Sequence, residues 1–106
     1  MAFVYVSLGD GQLPAAKGTL FTAAGPTFVK QITYTNTDAV SRLVNLYLKR
    51  AASSSRKIIP SNMLLAAGNT MYWGDKDGMS LSTGDLIEGD ADAATVVDYS
   101  ITGATL

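Results

Sequence analysis

The chain has 106 residues, 47% of them hydrophobic, a net charge of −1, and neither histidine nor cysteine. A single domain of this size buries about two-thirds of the surface its unfolded chain exposes, enough for a core of its own. The missing residue types exclude disulfides, thiolate chemistry, zinc or iron sites of the usual kind and the commonest general acid–base group, and the near-neutral charge gives no general attraction to nucleic acid or an acidic membrane.

Met1 to Leu8 is apolar, lacks a basic leader and runs straight into Gly9-Asp10-Gly11, so it reads as a first strand and not as a secretory signal. No apolar run approaches the roughly 20 residues that span a bilayer. Residues 1–12 are also a candidate N-terminal arm, of the kind that adds a strand to a neighbour's sheet edge. Leu13 to Gly18 is a connector whose Pro14 keeps the preceding residue extended. Thr19 to Thr22 is a short strand, and Ala23 to Pro26 a loop.

The longest regular pattern follows: Thr27 to Asn36, a polar turn from Thr37 to Ser41, then Arg42 to Arg50. Both halves are rich in β-branched and aromatic residues, and they are expected as the central antiparallel pair of the fold. In the second half Val44, Leu46 and Leu48 face the core, with Leu43, Asn45, Tyr47 and Lys49 opposite. In the first, Phe28, Ile32 and Tyr34 share one face with Lys30 interrupting them, and Val29, Gln31, Thr33 and Thr35 fill the other.

Beyond this pair come a polar loop (Ala51 to Arg56), a short strand (Lys57 to Ile59) closed by Pro60, and an apolar piece (Met63 to Ala67) before the turn at Gly68-Asn69. Thr70 to Trp73 is a strand ended by Gly74 to Gly78. Met79 to Ser82 and Asp85 to Glu88 are two more. The last, Thr95 to Thr102, points Val97, Tyr99 and Ile101 inward. About eight short strands and no helix predict an all-β fold, an antiparallel β-sandwich or Greek-key barrel forming one domain over residues 1–106.

Seven of the nine carboxylates (Asp75, Asp77, Asp85, Glu88, Asp90, Asp92 and Asp98) lie in the last third of the chain. Nothing in their spacing pairs any two for glycoside hydrolysis, and most sit in turn contexts that favour Asp. Asp75-Lys76-Asp77-Gly78 resembles part of a calcium loop. With those acids at its third and fifth positions, however, Trp73 would stand first and Gly84 twelfth, where carboxylates are required. Asp90 and Asp92 are the oxygens a neighbouring loop would add. Ser53-Ser54-Ser55 has no histidine to activate it. The pattern predicts no catalytic residues, metal or cofactor.

Charge placement says more. Arg42, Lys49, Arg50, Arg56 and Lys57 crowd one segment, and the acids another, as expected of patches that register contacts between subunits. The expected interface residues are Phe3 and Tyr5 in the first strand and Arg42, Asn45, Tyr47 and Lys49 on the polar face of the second long strand. Tyr47 leads them, because tyrosine offers large contact area at low entropic cost. Trp73 reads as a core residue; with Tyr72 it would be the platform of a carbohydrate-binding module.

The order of motifs resembles a known group. Leu13-Pro14-Ala15-Ala16-Lys17-Gly18-Thr19-Leu20 comes first, then Ile32-Thr33-Tyr34-Thr35-Asn36-Thr37 and Val44-Asn45-Leu46-Tyr47-Leu48. Ile58-Ile59-Pro60, Leu64-Leu65-Ala66-Ala67-Gly68, Gly84-Asp85-Leu86-Ile87-Glu88-Gly89 and Val97-Asp98-Tyr99-Ser100-Ile101-Thr102-Gly103 follow. Across residues 13–103 this is similar to small β-sandwich structural proteins of tailed bacteriophage virions. The resemblance implies a non-enzymatic virion protein made in the host cytoplasm, foremost a capsid decoration (cement) protein bound to the major capsid protein, and otherwise a tail, baseplate or fibre component. It implies a homo-oligomer, for instance a trimer, and no nucleic-acid or membrane partner.

Overall fold

Among the described residues, alternating β-branched and aromatic side chains form nine strands: β1 (Val4–Gln12), β2 (Gly18–Thr22), β3 (Thr27–Asn36), β4 (Arg42–Lys49), β5 (Ser55–Lys57), β6 (Met63–Leu65), β7 (Thr70–Leu81), β8 (Leu86–Ala91) and β9 (Val97–Thr105). The computed structural model describes residues 4–105, the side chains of residues 75–77 excepted. The strands make two antiparallel sheets, one of order β1-β9-β3-β7 and one of order β2-β8-β4-β5, with β6 beside β5 on the same margin of β4. The all-β sandwich expected from the sequence is the fold observed.

Its pairs are nested. β1 pairs β9, β2 pairs β8, β3 pairs β7 and β4 pairs β5, so the chain is one long ribbon of antiparallel pairs rolled between two sheets. That is the jelly-roll order.

β3 and β4 are therefore central but not partners, which corrects the expected hairpin. β3 lies between β9 and β7 in one sheet, and β4 between β8 and the β5–β6 margin in the other. The reason is burial. Val29, Ile32 and Tyr34 on β3 and Val44 and Leu46 on β4 are all fully buried, and the two apolar faces meet across the core. The Tyr34 hydroxyl crosses that core and donates to the backbone carbonyl of Asn45 at 3.0 Å. Gly89 makes room for it, since a β-carbon there would collide with the hydroxyl and with Leu20.

The irregular alternation of β3 comes from a bulge. Its register shifts between Val29 and Gln31 against both neighbours, leaving Lys30 as the extra residue. Thr27 and Val29 face inward before it, and Ile32, Tyr34 and Asn36 after it. Phe28 consequently lies on the face opposite Ile32 and Tyr34, not beside them. The two strands expected at Thr70–Trp73 and Met79–Ser82 are one, β7, whose register on β3 jumps from Gly74 to Met79. Positive φ at Gly74 (104°) and Gly78 (69°) marks the irregularity.

Residues 4–12, considered above as an arm, are strand β1, paired with β9 from Val4 to Gln12. The crossing from β3 to β4 is held by the fully buried Asn36. Its amide donates to the carbonyls of Val40 and Leu65, both at 2.9 Å, and its side-chain oxygen accepts from the Asp38 N–H at 2.9 Å.

Candidate functional site

On the outer face of the five-stranded sheet, β4 aligns Tyr47 with Glu88 of β8 and Lys57 of β5, and Asn45 with Asp90. The Tyr47 hydroxyl donates to one Asp90 oxygen at 3.0 Å, and the Asn45 amide donates to the other at 2.8 Å. The Asn45 side-chain oxygen accepts from the Lys57 ammonium at 3.1 Å and the Asn62 N–H at 2.8 Å. The ammonium groups of Lys17 and Lys57 lie 5.2 and 4.8 Å from the centre of the Tyr47 ring. Desolvation, and then the bond to the Asp90 carboxylate, raise the pKa of the Tyr47 phenol.

The same face brings Ser55 between Glu88, to which its hydroxyl donates, and Lys17, whose ammonium donates to Ser55 at 3.3 Å. A serine between a lysine and a buried carboxylate has the composition of a nucleophile with its base. The Ser55 hydroxyl is held between the two, donating to Glu88 and accepting from Lys17, while the nearest cleft is lined by its neighbours Ser53, Ser54 and Arg56. These groups satisfy one another.

The remaining expected interface residues divide. Asn45 is 7% exposed and consumed by the network above, so it is not on offer to a partner. Tyr47 and Lys49 are half-buried. Arg42 donates from Nε (3.0 Å) and Nη2 (2.6 Å) to Asp38 and lies 3.7 Å from Asp92. The Arg42 bond, reinforced by the Ala39 N–H, holds the Asp38 carboxyl below its ordinary pKa. Phe3 lies outside the described residues. Of the described ones Tyr5 is widely open, 75% exposed on the outer face of the four-stranded sheet, with the Lys30 ammonium 5.8 Å from its ring.

The basic and acidic segments meet within the chain. Besides Arg42–Asp92, Arg50 bonds Asp85 at 2.8 Å. Asp85 is buried and also accepts from the N–H groups of Ser82 (2.9 Å) and Ala51 (3.0 Å), tying the β7–β8 turn to the loop after β4. The Ser82 and Ala51 N–H groups and then Arg50 pull its pKa down to about 2.

Of the acids weighed for calcium, Asp90 is bonded through both oxygens and Asp92 neighbours Arg42, while the side chains of Asp75 and Asp77 lie outside the described residues. Among the described residues no three acids gather as metal ligands. Trp73 packs against the core; Tyr72 points outward.

Sequence reasoning had Leu43 on the outer face and Tyr5 at an interface, but overlooked the apolar groups around them. Val40, Leu43 and Leu64 are exposed together around the start of β4, where Leu43 pairs Leu64. Val4 and Val6 flank Tyr5 on β1, and β1 is the edge of its sheet. The available signal was the run Val4-Tyr5-Val6, in a strand with no charge before Asp10. Next to it, Tyr5, Pro26, Phe28 and Ala104 line a shallow cleft of about 310 Å³.

Neither the family models, the curated proteins nor the solved structures compared with the chain give a match.

Proposed function

We propose that the chain is a non-enzymatic structural protein of a tailed-phage virion, a capsid decoration protein that binds the major capsid shell. The observation that carries this reading is the distribution of surface apolar groups. Among the described residues, all of the exposed large apolar side chains but Tyr72 gather at two separated margins of the jelly roll, the β1 edge and the Val40–Leu43–Leu64 corner, while the polar clusters are internally satisfied. Such a module is equipped to bridge two protein surfaces. Jelly rolls recur in viral capsid domains and also in lectins and cupins, so the fold supports the reading only by analogy.

Mass spectrometry of purified particles of the phage that carries the gene tests it. Decoration requires a copy number comparable to that of the major capsid protein. A copy number typical of a tail tip moves the protein to the tail or baseplate, and absence from purified particles overturns the proposal. The Leu64→Lys variant, altered at an exposed corner, is expected to fold normally and to load poorly onto undecorated shells in a sedimentation assay.

A further inference from the structure

The first half of β1 is built to be covered, and among the described residues nothing covers it. Opposed residues of an antiparallel pair share a face. Val6 stands opposite Gly103 and Val4 opposite Thr105, in the row of β9 that includes the buried Ile101, so both valines belong to the inward face. Yet Val4 is 59% and Val6 38% exposed. The sandwich closes further along β1, where the backbone of Leu20 in β2 approaches Gly9, and stays open at the strand's start.

The backbone there is equally unguarded. β1 ends the sheet order, and from Val4 to Ser7, ahead of its register shift, it has no charge, proline or bulge. Natural edges are usually blunted by one of these devices or by being short. The other edges are: β5 and β6 have three residues each, β2 has five with a bulge, and β7 is broken by Gly74 and Gly78.

We propose that β1 pairs antiparallel with β1 of a second copy, about a two-fold axis at Tyr5, joining two four-stranded sheets into one. Self-complementarity selects this occupant. A two-fold pair needs each residue to face one from its own side of the sheet, so the axis passes at a residue and not between two. At Tyr5, Val4 faces Val6 on the inner side and Tyr5 faces its own copy on the outer side. An axis at Val6 would force Val4 against the bulged Leu8. Charge is compatible as well: with that axis the two Asp10 residues stand about 33 Å apart along the strands, beyond a Debye length. This pairing is independent of any role in a virion, and it gives a dimer rather than a trimer.

The chain has no cysteine, so a single introduced thiol reports the axis directly. Opposed residues at a two-fold lie about 4.5–5.5 Å apart between Cα atoms, within disulfide range. The expected results are a concentration-dependent dimer of the wild-type chain by sedimentation, and cross-linked dimers of Tyr5→Cys, but not of Tyr72→Cys, under mild oxidation. Val6→Lys should be a folded monomer by circular dichroism and sedimentation; if it unfolds, the Tyr5→Cys result decides. A wild-type monomer at the highest soluble concentration, a trimer, equal cross-linking of both cysteine variants, or a folded Val6→Lys that still dimerises would each overturn the proposal.

Discussion

Two buried polar side chains hold crossings that apolar packing alone would leave loose. Asn36 bonds the Val40 and Leu65 carbonyls with its amide and the Asp38 N–H with its oxygen, so replacing it with alanine removes three bonds, the one to Leu65 fully buried. Asn36→Ala is expected to cost about 2–4 kcal/mol by urea unfolding, roughly 1–3 kcal/mol of it from the buried Leu65 carbonyl and the rest from the two groups that water can reach. Asp85 makes stability depend on pH. Its folded pKa, about 2, lies below the unfolded value, so its contribution is complete above about pH 4 and is lost as the pH falls toward 2. The melting temperature of the wild type should therefore drop between pH 4 and 2. Asp85→Asn should start lower at neutral pH and show a shallower acid limb; an unchanged limb would mean that other carboxylates carry the acid transition. Neither role was legible in the sequence, where Asn36 closes a strand before a polar turn and Asp85 opens one just after Thr83-Gly84. Turn chemistry marks where the chain bends, and only the tertiary fold decides whether the bend is buried.

Strands were legible where alternation was unbroken, as in β4 and β9, and illegible where a bulge changed its phase. Lys30 is the example: one extra residue reverses the faces of Phe28 and Ile32, and a period-two reading carried through it assigns one side wrongly. Pairing was the other failure. Two adjacent strands joined by a five-residue polar turn look like a hairpin, but with a buried face on each they sit across the core, where no local signal records the choice. The contact between Tyr34 and Gly89 makes that cross-core packing testable. Gly89→Ala should destabilise by about 1–3 kcal/mol through overpacking. Tyr34→Phe should cost about 1 kcal/mol for the lost bond to Asn45. Because the phenylalanine removes the atom that the new β-carbon meets, the double variant should be less destabilised than the sum of the two. Strict additivity would show that the two positions do not touch in solution.

Rolling a nested ribbon makes the first strand the partner of the last, so the integrity of the whole molecule depends on its N-terminal segment. β1 lies along β9 for the length of the strand, Leu8 packs against the core, and Gly11 lets the Tyr99 ring approach. β9 in turn carries Val97 and Ile101 into the centre of the core. Removing residues 1–12 would expose β9 as a new edge, open the core on that side and leave a long strand free for intermolecular pairing. A detachable arm would behave differently: its deletion would abolish binding and spare the fold. The jelly-roll order thus sets an opposite expectation for the shortened chain of residues 13–106. It should lose its cooperative thermal transition and elute as aggregate, whereas Val6→Lys, which alters one part-exposed side chain at the open start of the same strand, should keep the wild-type transition. A truncated chain that melts cooperatively near the wild-type temperature would show that β1 is an appendage, and that the sandwich closes without its first strand.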